Sequence, residues 1–320
     1  MPKLRDVSWP MQNGYKIYPS DMAGMVGLPH VGEIFYVDAA NGNNVRDGKT
    51  AETAVATVEQ AESLMTEYKH DVAIVVPTGS STGRTTETAA VAWDKSFCHL
   101  VGSAAPTYQD ARAGMNFGTG GSLTISDKGC IFANLTMFSS VDIDETVSVT
   151  GDYNSFRGCD FKGTSNATSI GSTPWRALNL NGAEENTFIN CAIGGDTYTR
   201  SAANASLELE AASTRNVFDS CLFLLHTDDA AAVFVEAGAA ADIDRFVWFK
   251  DCIFHNAVYS ASTTITVGMT IHAAVGGSVI LDGCSILGAT DWSSDYTAVT
   301  GANMPDITAA NAGFMERVAT

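Results

Sequence analysis

Five segments decide how this chain folds: NSFRGCDF (154–161), NTFINCAI (186–193), NVFDSCLF (216–223), VWFKDCIF (247–254) and VILDGCSI (279–286). Each reads apolar, two residues, Cys, one residue, apolar. The cysteines are Cys159, Cys191, Cys221, Cys252 and Cys284, spaced by 32, 30, 31 and 32 residues. Three positions earlier stand Phe156, Phe188, Phe218, Phe249 and Leu281. Two positions later stand Phe161, Ile193, Phe223, Phe254 and Ile286. Upstream of each segment a second element alternates: Val147-Ser148-Val149, Leu178-Asn179-Leu180, Leu207-Glu208-Leu209, Val233-Phe234-Val235 and Met269-Thr270-Ile271. Alternation is the period of a strand with one buried face. An apolar residue three before the Cys would point away from it on a straight strand. The residue just before each Cys is Gly, Asn, Ser or Asp, types that tolerate turns and left-handed backbone. A bend there resets the inward phase. Each repeat then supplies three short strands, and a fixed period of such strands predicts a β-solenoid with Phe, Cys and Ile/Phe ladders inside.

The alternatives are weaker. A β-sandwich would need five coincident spacings, and a helical repeat lacks helical periodicity and is too rich in Thr, Val, Phe, Asn and Gly. Stacked strands lie ~4.8 Å apart, which a disulfide could bridge, but small reduced thiols filling a narrow interior are the better reading. The ladder cysteines have no Cys-x-x-Cys partner or adjacent His to suggest zinc.

Composition agrees. The 320 residues carry 18 Lys+Arg against 36 Asp+Glu, a net charge of −18, with only 17% charged and 45% apolar residues. Such a chain has enough apolar mass for a core and too few cations to grip nucleic acid. No apolar run is long enough to span a membrane, and Met1 to Asp6 lead into no apolar signal segment. Seven cysteines without an export signal point to reduced thiols. The length suggests two domains, but the repeat replaces them with one solenoid over 33–290, an amino-terminal arm (1–32) and a carboxy-terminal arm or cap (291–320). The charge is expected on outer loops, where it keeps a stiff β-stack from pairing with copies of itself.

The first half reads as the capped start of the solenoid. Ile34–Val37, 71–76, 97–101, Leu123–Ile125 and 131–135 are expected strands. Thr57-Val58-Glu59-Gln60 is a capping box opening a helix near 57–69, with Val58, Ala61, Leu64, Met65 and Tyr68 on one face. A helix there would cover the open sheet edge.

This start also carries a resemblance. Tyr36-Val37-Asp38, Asn41-Gly42-Asn43, Asp47-Gly48-Lys49-Thr50, Thr53-Ala54, Ala56-Thr57 and Ala61 resemble the amino-terminal signature of pectin-lyase-like right-handed parallel β-helix proteins, as found in phage tailspikes and other virion proteins. The resemblance implies an all-β, right-handed parallel β-helix over roughly 33–290. It implies no single function, because members include polysaccharide lyases, glycoside hydrolases, tailspikes and non-enzymatic decoration proteins.

The catalytic sets of those enzymes are incomplete here. Hydrolysis needs paired carboxylates. Asp228-Asp229, Asp242 with Asp244, and Asp142 with Asp144-Glu145 are the candidates. Of the hydrolase motifs only the Asp-Asp at Asp228 and Asp229 is present. For a lyase, Asp160, Asp219, Asp251 and Asp282 lie near the bends at differing offsets, without an Arg in register, and read as turn caps. GNNVRDGKT (42–50) has one residue too many for a phosphate-binding loop. Asp38, Asn41, Asn43 and Asp47 could gather calcium, although a hydrogen-bonded turn is the simpler reading. The six His are scattered, so no metal and no cofactor is expected.

The insertions 162–177, 194–206 and 255–268 fall at one corner, making a loop-rich contact face. Trp175, Tyr198 and Tyr259 there could stack on sugars. Trp9, Met11, Met22 and Met25 in the first arm, and Trp292, Tyr296 and Phe314 in the last, are candidate partner contacts. The expectation is a structural phage virion protein without enzymatic activity, on the head exterior. It would be a homotrimeric capsid decoration (cement) protein bound to the major capsid protein, without nucleic-acid or membrane partners. The alternative is a tailspike-type protein that binds or cleaves a host surface glycan.

Overall fold

A computed structural model of the chain describes residues 32–77, 83–257 and 263–308. The strands form three parallel sheets, visited in turn once per coil. The first has ten described strands, from Ile34–Asp38 to Val299–Ala302. The second runs from Arg84–Glu87 to Ser285–Leu287 and the third from Val91–Trp93 to Ala289–Ser293, eight strands each. Strand order follows chain order in every sheet, so each coil lies on the one before it. The protein is a right-handed parallel β-helix, the hand that strand twist imposes on parallel crossovers.

Registers place like on like. In the first sheet Phe132, Phe156, Phe188, Phe218, Phe249 and Leu281 are successive partners. The rings from Phe132 to Phe249 stack at 5.0, 4.5, 4.5 and 5.0 Å, with planes within 11° of parallel. Strand spacing holds them so, since isolated rings also favour edge-on contacts. In the second sheet Met137, Phe161, Ile193, Phe223, Phe254 and Ile286 form the matching row. Its rings meet the Phe ladder edge-on, as in Phe161 against Phe188 at 5.8 Å. Both rows are buried.

Between these sheets lies the bend. Asn134, Gly158, Asn190, Ser220, Asp251 and Gly283 all have left-handed backbone, φ between 51° and 64°. The five ladder cysteines follow it, buried and free. Each thiol donates to the carbonyl of the Phe one coil earlier, as Cys191 does to Phe156 (3.5 Å) and Cys252 to Phe218 (3.3 Å). Burial pushes the thiols of Cys159, Cys191 and Cys221 well above their ordinary range.

A third interior row is polar. Asn154, Asn186 and Asn216 are buried at the entrance to the first sheet. Their side-chain oxygens accept from the backbone N–H of Cys130 (2.8 Å), Asn154 (2.8 Å) and Asn186 (3.0 Å). Their amides donate to the carbonyls of Asp127, Gly151 and Ala183. Each Asn side chain ties its coil to the one before, and Asn186 also donates to Asn216 Oδ1 in the next coil at 3.2 Å.

The start is capped as the sequence suggests, but more briefly. Helix α1 spans Val58–Leu64, and Thr57 accepts from the Gln60 N–H. Val58, Ala61 and Met65 are buried against the first coil. Tyr68 lies beyond the helix end, left-handed and exposed. Asn44, not Gln60, completes the box by accepting from the Thr57 N–H at 3.2 Å.

Two expectations change. The sheets run past 290: Ala289–Ser293 pairs with Ile265–Ile271, and Val299–Ala302 with Ser278–Asp282. In the third sheet Leu207 partners Val235, and Glu208 partners Glu236, two residues along from the expected match with Val233-Phe234. Phe234 points into the core instead, edge-on to Phe254.

Candidate functional site on the outer face of the second sheet

The second sheet carries outward polar groups on one register row. Arg84, Gly114, Thr136 and Asp160 occupy equivalent positions in four successive coils. Asp110, arriving on the 103–113 loop, joins the two ends of this row. Its carboxylate receives Arg84 and the Lys162 ammonium, the latter at 2.6 Å. Its backbone N–H donates to Asp160 Oδ2 at 2.8 Å. Asp160 Oδ1 is buried without a partner. Burial pushes the Asp160 carboxyl up to about 7, while the two cations and their hydrogen bonds hold Asp110 below its ordinary value. The chemistry assembled is a carboxyl poised near neutrality beside a lysine. Phe138 lies alongside, beneath Arg84 at 5.4 Å and against Tyr198 at 6.3 Å.

Apolar groups continue along this flank. Tyr108, Tyr198 and Ile253 are 50%, 41% and 47% exposed. The Tyr108 hydroxyl reaches the Ser220 carbonyl at 3.4 Å, which lays the 103–113 loop across several coils.

The third sheet carries the other polar face. Arg176, almost fully buried, reaches Glu208 at 3.0 Å and Glu236 at 2.5 Å. Asn179 donates to Glu145 and Glu210. The one guanidinium is fully engaged, and the four carboxylates around it and Asn179 leave the face acidic.

The expected candidates are scattered. Asp228 is exposed, and the Asp229 carboxylate accepts from the Ala231 N–H at 2.8 Å, an ordinary turn contact. Asp242 accepts from the Ala239 N–H, and Asp244 pairs loosely with Arg245. Asp142 accepts from the Ser169 hydroxyl. Two of the bend aspartates bind side chains, Asp219 holding Lys250 at 2.9 Å and Asp282 receiving Asn303 at 2.6 Å, whereas Asp160 accepts the Asp110 N–H. Asp38 accepts from the N–H groups of Ala40 and Asn41, and Asp47 from that of Lys49, as a hydrogen-bonded turn requires. No cluster suited to a metal ion occurs among the described residues.

The corner loops do connect the second sheet to the third, through 165–175 and 195–204. Of their aromatics Tyr198 is exposed, Trp175 is buried, and Tyr259 lies outside the described residues. Trp292 is no surface contact: it is fully buried, edge-on to Phe254, because the third sheet carries it inward. Tyr296 packs partly on the core and bonds Asp291. Trp9, Met11, Met22, Met25 and Phe314 lie outside the described residues. Arg84, Asp110 and Lys162 went unnoticed in sequence, for Asp110 joins the others only through a loop.

Comparison with solved structures agrees on architecture. The fold is that of pectin-active β-helix enzymes. The pectate lyase Pel9A superposes with a TM-score of 0.58 at 16% identity, over 85% of this chain and 68% of that one. The pectin methylesterase PemA from Erwinia chrysanthemi gives 0.50 at 12% identity, over 89% and 87%. Identities this low speak to fold alone. No protein-family model and no curated protein matches the chain.

Proposed function

We propose that the protein is a non-catalytic structural component of a phage particle, a homotrimeric head decoration protein that binds the major capsid protein through its outer loops and arms. The observation that carries this reading is the fate of the outward charges. Arg176 is consumed by Glu208 and Glu236, Arg84 and Lys162 by Asp110, and Lys250 by Asp219. What remains is a stiff scaffold whose best-placed outward cations are already paired, suited to presenting a surface. The amino-terminal signature supports a virion setting.

The test is reconstitution. Purified protein added to capsids lacking it should sediment with them and raise their heat resistance, and light scattering of the free protein should give a trimer. A monomer that ignores capsids would sink the proposal. A second reading, glycan binding or cleavage, is favoured by Asp160 and Lys162 beside the exposed Tyr108 and Tyr198. On that reading host polysaccharide releases reducing ends or unsaturated sugars, and Asp160→Asn abolishes the release while Asp228→Ala with Asp229→Ala does not.

A further inference from the structure

The first sheet has an apolar outer face at its amino-terminal end. Ile34, Val72, Ile74, Val101, Ile131 and Ala133 form a cluster separate from the core. They alternate along their strands with core residues such as Phe35, Ala73 and Phe132, so their side chains stand on the opposite face. None of the six is more than 8% exposed. Yet the whole cluster, with Tyr36 and Val76 at its margin, belongs to four neighbouring strands: Ile34–Asp38, Val72–Val76, His99–Gly102 and Ile131–Ala133. Among the described residues, no apolar side chain from elsewhere in the chain joins it. A sheet face is buried by a second layer, and four strands of one sheet cannot supply that layer themselves. The same face further along shows the contrast. Thr187, Val217, Trp248 and Ile280 continue the row of Ile131, and all are partly exposed.

Four stretches lie outside the described residues, and three do not fit as the cover. Residues 78–82 read Thr-Gly-Ser-Ser-Thr, without an apolar side chain. Residues 258–262 fall between Ile253–Asn256 and Ile265–Ile271, at the corner joining the second and third sheets. Residues 309–320 follow the last strand, Val299–Ala302, at the far end of the stack. Residues 1–31, by contrast, join the described chain at Gly32, two positions before Ile34. The Val72 N–H donates to the Glu33 carbonyl at 2.9 Å, which sets this junction at the edge of the apolar face. A chain reaches up to ~3.3 Å per residue, so this stretch is ample to cross four strands ~4.8 Å apart. It carries Trp9, Met11, Tyr15, Ile17, Met22 and Leu28.

We propose that residues 1–31 dock on this outer face of their own chain and supply its second layer. The inference goes beyond the capsid reading and does not rest on it. The corner loops and the carboxy-terminal arm stay available to a particle, while Trp9 and the methionines of the first arm are engaged within the molecule.

The full-length chain carrying the photoreactive residue p-benzoylphenylalanine in place of Tyr36 tests this. Ordinary and ¹⁵N-labelled copies are refolded together, irradiated, digested and read by mass spectrometry. The expected result is cross-links from position 36 to peptides of 1–31, each joining peptides of one isotopic kind. Mixed-isotope cross-links, which place a second copy's arm on the face, or no cross-link to 1–31, overturn the proposal. A second measurement reads the face itself. Ala133→Cys in the full chain should react with a thiol reagent at least tenfold more slowly than after removal of residues 1–31. Ile189→Cys, on the same row beyond the cover, should react alike in both. Equal rates for Ala133→Cys with and without the arm overturn the proposal, and if the shortened chain does not fold the cross-links decide.

Discussion

His99 and Asp160 show how one buried titratable group shapes stability. His99 is fully buried. Its Nδ1 accepts from the Ile131 N–H at 3.0 Å, and its Nε2 faces His70 Nδ1 at 3.2 Å. Burial, then His70, holds it down to about 4. The folded chain therefore keeps His99 neutral where the unfolded chain protonates it, so its stability contribution falls as pH drops from about 6.5 to about 4, by roughly 3 kcal/mol. Asp160 runs the other way. Its folded value near 7 makes its contribution fall as pH rises from about 4 through 7. Urea melts across this range should show His99→Gln losing the acid-side slope. Asp160→Asn should gain on wild type as pH rises toward 8. A parallel offset at all pH values would contradict both assignments. Neither effect was legible in sequence, because burial of these two groups depends on coils and loops far away along the chain.

The ladders are where sequence and structure meet most directly. Phe at −3, a left-handed residue at −1 and Cys at 0 were readable because each serves a local need that recurs in every coil. The Asn row stood in plain view as the first letter of three segments, 154, 186 and 216. Asn near a turn reads as a turn residue, whereas these side chains are buried and bond the preceding coil. Asn186→Ala removes the acceptor of the Asn154 N–H and the donor to the Gly151 carbonyl. Two buried backbone groups left unmet should cost about 3 kcal/mol, measured as a shift in denaturant midpoint with little change in slope. Asn154→Ala should behave alike, since it occupies the same row.

The whole molecule is a stack in which each coil touches mainly its neighbours. Such a stack can open from its ends while its middle stays closed, so the ladder thiols report opening coil by coil rather than loop movement. A thiol reagent in native buffer should modify Cys159 to Cys284 only at the rate of unfolding, and rapid modification of all five would contradict the packing. The site is legible less well than the stack. Arg84 and Asp160 share a register row three coils apart, but Asp110 joins them by a loop that carries no repeat. Trp292 reads as a surface residue for the converse reason: Ala289–Ser293 continues the third sheet without the Cys pattern that announces earlier coils.

The unbroken register has one more consequence, for ancestry. Thr187 partners Val217 exactly as Ser155 partners Thr187. Losing residues 187–216 would join Asn186 to Val217 and leave every remaining row aligned. Whole coils are therefore interchangeable modules, and the length of such a chain can drift by duplication or loss of one module at a time. The exposed positions of the corner loops carry no ladder and could change on each copy, with buried Trp175, Arg200 and Asn204 excepted.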